Sequence, residues 1–510
     1  MKYISTRKGF EATSAETVFQ GLAPDGGLYV PLLNSGTPAL RHSGTQTPRH
    51  SGTPDISTLR EAESFVMDRL FGDLPLEVRE AAVERLCARF PKDDPIPLVE
   101  KDGLQILELF HGKTGAFKDV ALSMLPVFMK HAANGKRVLI LTATSGDTGS
   151  AAMQGFAGVE GTEIIVFYPA TGTSRIQKLQ MTTPADANVH AVGIRGNFDD
   201  AQAAVKRIFA SKEIVAEAAA HGITLSSANS INTGRLVPQI AYYVLAGAKL
   251  LAGRQAHDSK AFDVVVPSGN FGNILAAYYA KRLGSPIRRL VVASNVNDVL
   301  ARFVKTGVYD PGPTFTVTNS PSMDIRKSSN VERLLWMLNQ PEAVREGADE
   351  TAACADETAA AAACADGTAT AVACAETARL MDDLETKGRY ELSEAAKARL
   401  FADFAGGVAT PEETEAEMRR MREACGYLLD PHTAVATCVA KKLGYPKDGV
   451  PCVIAATATP YKFPETCLKA FGADILTDPP PAFAELGRLP IAQTRVCDVD
   501  KIDDEVRRLF

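Results

Sequence analysis

Residues 137–156 read RVLILTATSGDTGSAAMQGF, and the order of residue types within them sets the fold class. Val138 to Ala143 carry no charge and are apolar or β-branched, as a strand buried on both faces requires. Ser145 to Gly149 supply small and hydroxylic residues for a tight turn, and the alanine-rich stretch from Ser150 onward reads as a helix. The same grammar returns in FDVVVPSGNFGNILAAYYAKRLG (262–284), with a strand over Asp263 to Val266, a turn through Ser268 to Gly272 and a helix ending near Gly284. A third strand, Cys452 to Ala456 in PCVIAATATPYKFPE, stops at a polar turn. Short β-branched runs alternate with helical periodicity along most of the chain, the pattern of an α/β fold in which helices cover a parallel sheet.

Open α/β sheets bind ligands beyond the carboxyl ends of their strands. All three strands end there in small, hydroxyl- or glycine-rich turns. A helix N-terminus offers unpaired N–H groups and partial positive charge, and glycine lets the backbone approach a phosphate. Two such turns could hold two anionic groups, for instance a cofactor phosphate and a substrate carboxylate. Glycine-rich βα turns also occur in doubly wound folds for packing reasons alone.

At 510 residues the chain has room for two to four domains, at roughly 100–200 residues each. Apolar residues are 45% and charged residues 23%, the balance of an ordinary globular protein. Lys plus Arg number 55 against 61 Asp plus Glu, a net charge of −6 without a long basic run, which argues against nucleic acid and anionic membranes and for a small-molecule partner. No segment offers the ~20 uncharged apolar residues of a membrane span; the run from Tyr242 to Leu251 is broken by Gly247 and Lys249. The opening MKYISTRKGFEATS lacks the apolar stretch of a secretory signal, so a cytoplasmic location is expected. Nine cysteines without a C-x-x-C pair read as reduced thiols, with neither a disulfide framework nor a metal site.

Two segments are compositionally biased. Residues 34–57 repeat RHSGT at Arg41 and Arg49 and have almost nothing apolar to bury, so they read as a mobile insertion. Near residues 345–380, ACADETA, ACADGTA and ACAETA place Cys354, Cys364 and Cys374 ten residues apart. Alanine makes this stretch helical, and at 3.6 residues per turn the cysteines drift around the helix instead of forming a column of ligands.

Nucleotide motifs fail on the letters. HGKTGAFKD ends like a Walker A loop at Gly112-Lys113-Thr114, but Leu107 stands where the first glycine belongs, and no G-x-G-x-x-G opens a helix after these strands. In the same stretch Lys118 precedes a strongly apolar run. Desolvation there would lower its basicity and free the amine for imine formation, although lysines beside apolar helical faces commonly just snorkel.

Taken together these segments resemble the threonine synthases, in the longer microbial and fungal-type branch of the tryptophan-synthase-β-like enzymes that use pyridoxal phosphate. ISTRKGFEATSAETVFQGLAPDGGLYVP is similar to the family's opening segment, and HGKTGAFKDVAL to its cofactor-lysine motif. TATSGDTGSAA, SANSIN, VPSGNFGN, SPSMDIRKSSNVERLL and DPHTAVA follow in the family's order. The resemblance implies two open α/β lobes with an N-terminal domain over 1–95, pyridoxal-phosphate-binding lobes over 96–330, a helical insertion over 331–425 and a C-terminal return to the α/β domain over 426–510. It makes Lys118 the Schiff-base lysine. It implies that Gly269, Asn270, Phe271 and Asn273 cradle the phosphate of pyridoxal 5'-phosphate and that Thr457 faces the pyridine nitrogen. Ser145, Asp147 and Thr148 would lie near the substrate's amino-acid end, with Asn229, Ser230, Asn232 and Arg235 also on the substrate side. Arg235 suits an anion because its planar fork binds phosphate or carboxylate bidentately.

The sequence departs from the family pattern at Thr233 and Gly234, where a Trp-Ala pair is usual, at Val296 in place of an acidic residue, and at Thr459 in place of a histidine. The implied reaction turns O-phospho-L-homoserine and water into L-threonine and phosphate, in a monomer or homodimer. Its competitors are a phospho-lyase that releases 2-oxobutyrate, ammonia and phosphate from the same scaffold, and a non-catalytic homologue.

Overall fold

In the computed structural model, which describes residues 1–33, 56–252, 259–312, 314–340 and 368–510, the first of these strands runs from Arg137 to Ala143. It belongs to a five-stranded, wholly parallel sheet ordered Arg495–Asp498, Val189–Arg195, Thr162–Pro169, Arg137–Ala143, Ile223–Ser227. A second sheet has six strands in the order Phe404–Val408, Ile287–Ser294, Phe262–Pro267, Cys452–Ala456, Leu104–Glu108, Leu98–Lys101, parallel except for the last pair. Two α/β lobes are the result, as the residue patterns imply.

Strand order explains where the lobes bind. From Arg137–Ala143 the chain builds outward to one side through Thr162–Pro169 and then places Ile223–Ser227 on the other. From Phe262–Pro267 it likewise builds outward through Ile287–Ser294 and later sets Cys452–Ala456 on the opposite side. Both reversals open a crevice at the strand's carboxyl end. The SGDTG turn (145–149) lies at one reversal and the SGNFG turn (268–272) at the other.

Helices start earlier than the alanine content alone suggests. The helix after the first strand is Asp147–Phe156, three residues ahead of Ser150. Gly146 precedes it at φ 148°, a backbone open to glycine, while Thr144 Oγ1 accepts the N–H groups of Gly146 and Gly149 at 2.9 and 3.0 Å. The second turn feeds Gly272–Arg282 through Phe271 at φ 62°. The apolar run at Tyr242–Leu251 sits in the helix Gln239–Ala252 and is largely buried. No helix among the described residues is long and apolar enough to cross a membrane.

An antiparallel three-stranded sheet, Glu11–Ala12, Tyr3–Ser5, Tyr29–Pro31, forms the N-terminal part. Arg7 clasps Glu332 with two bonds of 2.9 and 3.0 Å, and buried Arg333 donates to Tyr29 O at 2.8 Å and Ile231 O at 2.6 Å, so the helix Val331–Leu338 ties this sheet to the lobes. The biased segments fall mainly outside the described residues, including 34–55, Cys354 and Cys364. Cys374 is described: it lies in the helix Thr368–Thr386, buried, with its thiol 3.5 Å from Ser5 O. The last alanine-rich unit therefore packs on the N-terminal sheet. Segment 331–425, expected as helical, also supplies the edge strand Phe404–Val408.

Candidate active site

Three loops converge where the lobes meet. Lys118 begins the helix Lys118–Ala133, and the chain before it is zipped against the third strand's turn: Phe117 N–H donates to Thr457 O and Thr459 N–H to Gly115 O, both at 2.9 Å. Asp119 points the other way and accepts Thr114's N–H and hydroxyl at 2.8 and 2.7 Å, which braces the loop. The Lys118 amine thus enters a cleft that is open at its mouth.

Lys118 is mostly buried, and its Nζ lies 3.1 Å from Asp147 Oδ2. Burial lowers its basicity, against the opposing pull of Asp147. Asp147 begins a helix, where a carboxylate is favoured. Burial works to raise its pKa, but the charges of Lys118 and Lys462 outweigh burial and hold the carboxyl well below the usual range. Gln177 Nε2 donates to Asp147 Oδ1 at 2.8 Å, and Lys462 Nζ lies 3.2 Å from the same oxygen.

Opposite stands the SGNFG turn. Gly269 O accepts from Ser328 Oγ at 2.8 Å, and Asn270 O from Asn330 at 3.2 Å through its N–H and 3.0 Å through its amide. Gly272, Asn273 and Ile274 begin the following helix and line the cleft, where first-turn N–H groups have no intrahelical acceptor. Asn273's side chain is engaged by Tyr242 and Tyr243, leaving its backbone for a ligand. Asn270 Oδ1 and Ser322 Oγ are buried without a hydrogen-bond partner.

Arg235 is 2% exposed; its Nη1 donates to Ala228 O at 2.6 Å while Nε is unpartnered. Burial pushes its pKa down to about 10, and no carboxylate among the described residues pairs with it. A guanidinium in this state favours a bound anion.

Lys118, Ser145, Asp147, Thr148, Asn229, Ser230, Arg235, Gly269, Asn270, Phe271, Asn273 and Thr457 all line this one cleft. Asn232 does not: its amide donates to Val18 O and Ser227 O at 2.7 and 2.9 Å and its oxygen caps Gly234 N–H at 2.9 Å. An amine nucleophile, a glycine turn at a helix N-terminus, orphaned polar atoms and an unpaired guanidinium fit a phosphate-bearing aldehyde cofactor beside an anionic substrate.

Comparison with known proteins agrees. Residues 98–391 match the model for pyridoxal-phosphate-dependent enzymes, 2–47 the threonine synthase N terminus and 433–509 the threonine synthase C-terminal family. A threonine synthase of Saccharomyces cerevisiae is 33% identical, covering 99% of this chain and 96% of its own. The chain belongs to the threonine synthase family. One from Pseudomonas aeruginosa is 36% identical over 92% of this chain and 90% of its own. The crystal structure of PLP-bound threonine synthase from Brucella melitensis superposes with a TM-score of 0.80 at 34% identity, over 100% of this chain and 99% of that one. The protein is a pyridoxal-phosphate-dependent lyase, a threonine synthase of amino-acid biosynthesis.

Two of the three family departures have local explanations, and nothing in the structure explains Val296. Thr233 shares a 2.7 Å hydroxyl bond with Thr17, and a Cβ on Gly234 would meet Leu125 at 2.6 Å, so this threonine synthase closes the helix Thr233–Leu236 tightly on its N-terminal part. Thr459 packs its methyl over Gly115. Sequence reasoning missed Lys462, Gln177, Ser322 and His432. His432 Nε2 accepts Ser322 N–H at 3.2 Å and Nδ1 faces Asp430 at 2.9 Å, so Nδ1 carries the proton. DPHT signals a capped helix start, but letters alone do not say that the ring reaches across to another loop.

Proposed function

We propose that this threonine synthase acts on O-phospho-L-homoserine in the cytoplasm, with Lys118 as the cofactor lysine. One observation carries the reading: the Lys118 amine, held by Asp147, shares a cleft with a phosphate-suited turn and with a second, separate cation, Arg235. A phosphorylated cofactor and an anionic substrate beside it need separate anchors, and the turn and Arg235 supply two.

Gly269 to Asn273 and the helix they open would hold the cofactor phosphate, and Thr457 would face the pyridine nitrogen with a neutral hydroxyl. Pyridoxal phosphate supplies the electron sink that makes the substrate's α proton acidic. Lys118, with its basicity lowered by burial, takes that proton at Nζ and returns it at the end of the cycle. Ser145 and Thr148, in the turn and first residues of the facing helix, orient the amino-acid end. Arg235 binds an anionic oxygen and holds the leaving phosphate near the carbons that exchange protons.

The test is product analysis with Lys118→Ala beside the native enzyme. The native protein should release threonine and phosphate in equal amounts, and the variant should lose turnover and the cofactor's visible absorbance. Dominant 2-oxobutyrate would sink the substrate reading in favour of a phospho-lyase. Native-like activity in the variant would sink the assignment of the lysine.

A further inference from the structure

Lys462 is the most deeply buried ammonium in the site, 0% exposed, and it contacts neither solvent nor the cleft. Its Nζ lies 2.8 Å from Thr114 O, 2.7 Å from Gln180 Oε1 and 3.2 Å from Asp147 Oδ1. Asp147 Oδ2 meets Lys118 at 3.1 Å. Two buried ammoniums therefore bracket one carboxylate, one on each oxygen. Taking a second charge out of water costs several kcal/mol unless it is paired and hydrogen-bonded; the three acceptors satisfy the N–H groups of Lys462, but the only carboxylate in ion-pair contact with it among the described residues is one that it shares with Lys118. Structural bonding to Thr114 and Gln180 accounts for a buried donor here, and the contact with Asp147 adds a charge beside the Lys118 pair.

We propose that Lys462 is a positioning residue for Lys118: it pins Asp147 by one oxygen so that the other faces the Lys118 amine, and it shares that carboxylate's charge, so Lys118 has less than a full counter-ion. The consequence is chemical. A lysine with a whole carboxylate to itself keeps its proton; one with half of it yields a free amine nearer neutral pH. Lys462 also links three segments to the reacting group: the loop before Lys118 through Thr114, the helix Arg175–Thr182 through Gln180, and the helix of the facing lobe through Asp147. The groups that face Lys118 are Asp147, Arg235 and Lys462, with Phe117's ring 4.5 Å away and His432 lining the same cleft. Arg235 and Lys462 both act against protonation, and Asp147 alone favours it.

This inference rests on reading Lys118 as the cofactor lysine, and its test is separable from that reading because it needs no cofactor. The full-length protein, stripped of pyridoxal phosphate, is trace-labelled with acetic anhydride across the neutral to alkaline range, and the Lys118 peptide is quantified by mass spectrometry. In Lys462→Met the half-labelling pH of Lys118 should rise by about one pH unit, a tenfold smaller fraction of free amine at fixed pH. Gln180→Glu, which gives Lys462 a carboxylate of its own without removing it, should move the curve the same way. Asp147→Asn should move it down. With cofactor restored, the pH profile of kcat in Lys462→Met should shift upward by the same amount. An unchanged Lys118 curve in folded Lys462→Met overturns the proposal. If that variant does not fold, an unchanged curve in Gln180→Glu overturns it equally.

Discussion

Gly269→Ala adds one methyl group at the tightest approach in the phosphate turn. A Cβ built on Gly269 lies 2.5 Å from Ser322 O, and real Cβ atoms come no closer than 3.0 Å, so the contact must open by about 0.5 Å. Both sides are fastened: Gly269 O accepts from Ser328 Oγ at 2.8 Å, and Ser322 N–H is held by His432 at 3.2 Å. Overpacking by a methyl group costs about 1–3 kcal/mol. The turn is free only on its cleft side, so it moves into the space the cofactor phosphate needs, and the strain is expressed as lost affinity. At 1.4 kcal/mol per tenfold that is a roughly 5- to 150-fold rise in Kd for pyridoxal phosphate. The assay is a spectroscopic titration of the cofactor-free protein, paired with its melting temperature in the absence of cofactor. The expected result is weaker binding with little change in melting. Unchanged Kd and unchanged Tm together would refute the reasoning, because the phosphate would then have to sit elsewhere than on residues 269–273.

Arg235→Gln should raise KM for the phosphorylated substrate by about 10- to 100-fold, the worth of a charged hydrogen bond of about 1.5–3 kcal/mol, while cofactor affinity holds; equal loss of both would mean that Arg235 serves the cofactor instead. Glu63, in the helix Leu59–Leu70, is wholly buried with both carboxyl oxygens unpartnered, and burial raises its pKa well above the usual carboxylate range. A raised folded-state pKa contributes stability at low pH and loses it as pH climbs past the unfolded value near 4.3, by about 1.4 kcal/mol per pH unit until the folded pKa is reached. Glu63→Met should therefore raise Tm more at about pH 8 than at about pH 5. Parallel melting curves at the two pH values would count against a buried acid.

Much of this site was legible because the chemistry sits in turns. SGDTG and SGNFG are readable as βα junctions from the glycines and hydroxyls alone, and the strand at Cys452–Ala456 has the bounds its residues suggest. What the letters do not carry is long-range pairing. Lys462 is one residue in a polar turn until the fold sets it on Asp147, some three hundred positions earlier in the chain. Asn232 illustrates the converse, for an asparagine in a motif beside Arg235 reads as a ligand group, yet its three hydrogen bonds are spent on Val18, Ser227 and Gly234. A polar side chain's role is fixed by which partners are near enough to use up its valences, and that is a property of the fold. The helix start at Asp147 was missed for a related reason: Thr144 caps from outside the helix, and alanine content marks only its interior.

The cleft's charge connects these pieces to a protein with a net charge of −6. Lys462 and Arg235 are buried cations near Lys118, and Asp147, which touches the two lysines, leaves Arg235 without a carboxylate partner among the described residues. Unpaired positive charge is costly in a poorly solvated cleft, so the fold holds it only where an anion is to be bound. Overall acidity does not oppose this, since screening confines charge effects to about 8–10 Å in physiological salt and Lys118 and Arg235 line one cleft, with Lys462 buried behind Asp147. The same excess aids the chemistry. Negative charge that develops when Lys118 removes a proton, and again when phosphate departs, forms against fixed positive groups that need not reorganise at that moment. The two features divide the work: the doubly shared Asp147 leaves the Lys118 amine without a whole counter-ion, and Arg235 keeps its charge uncompensated until the substrate supplies an anion.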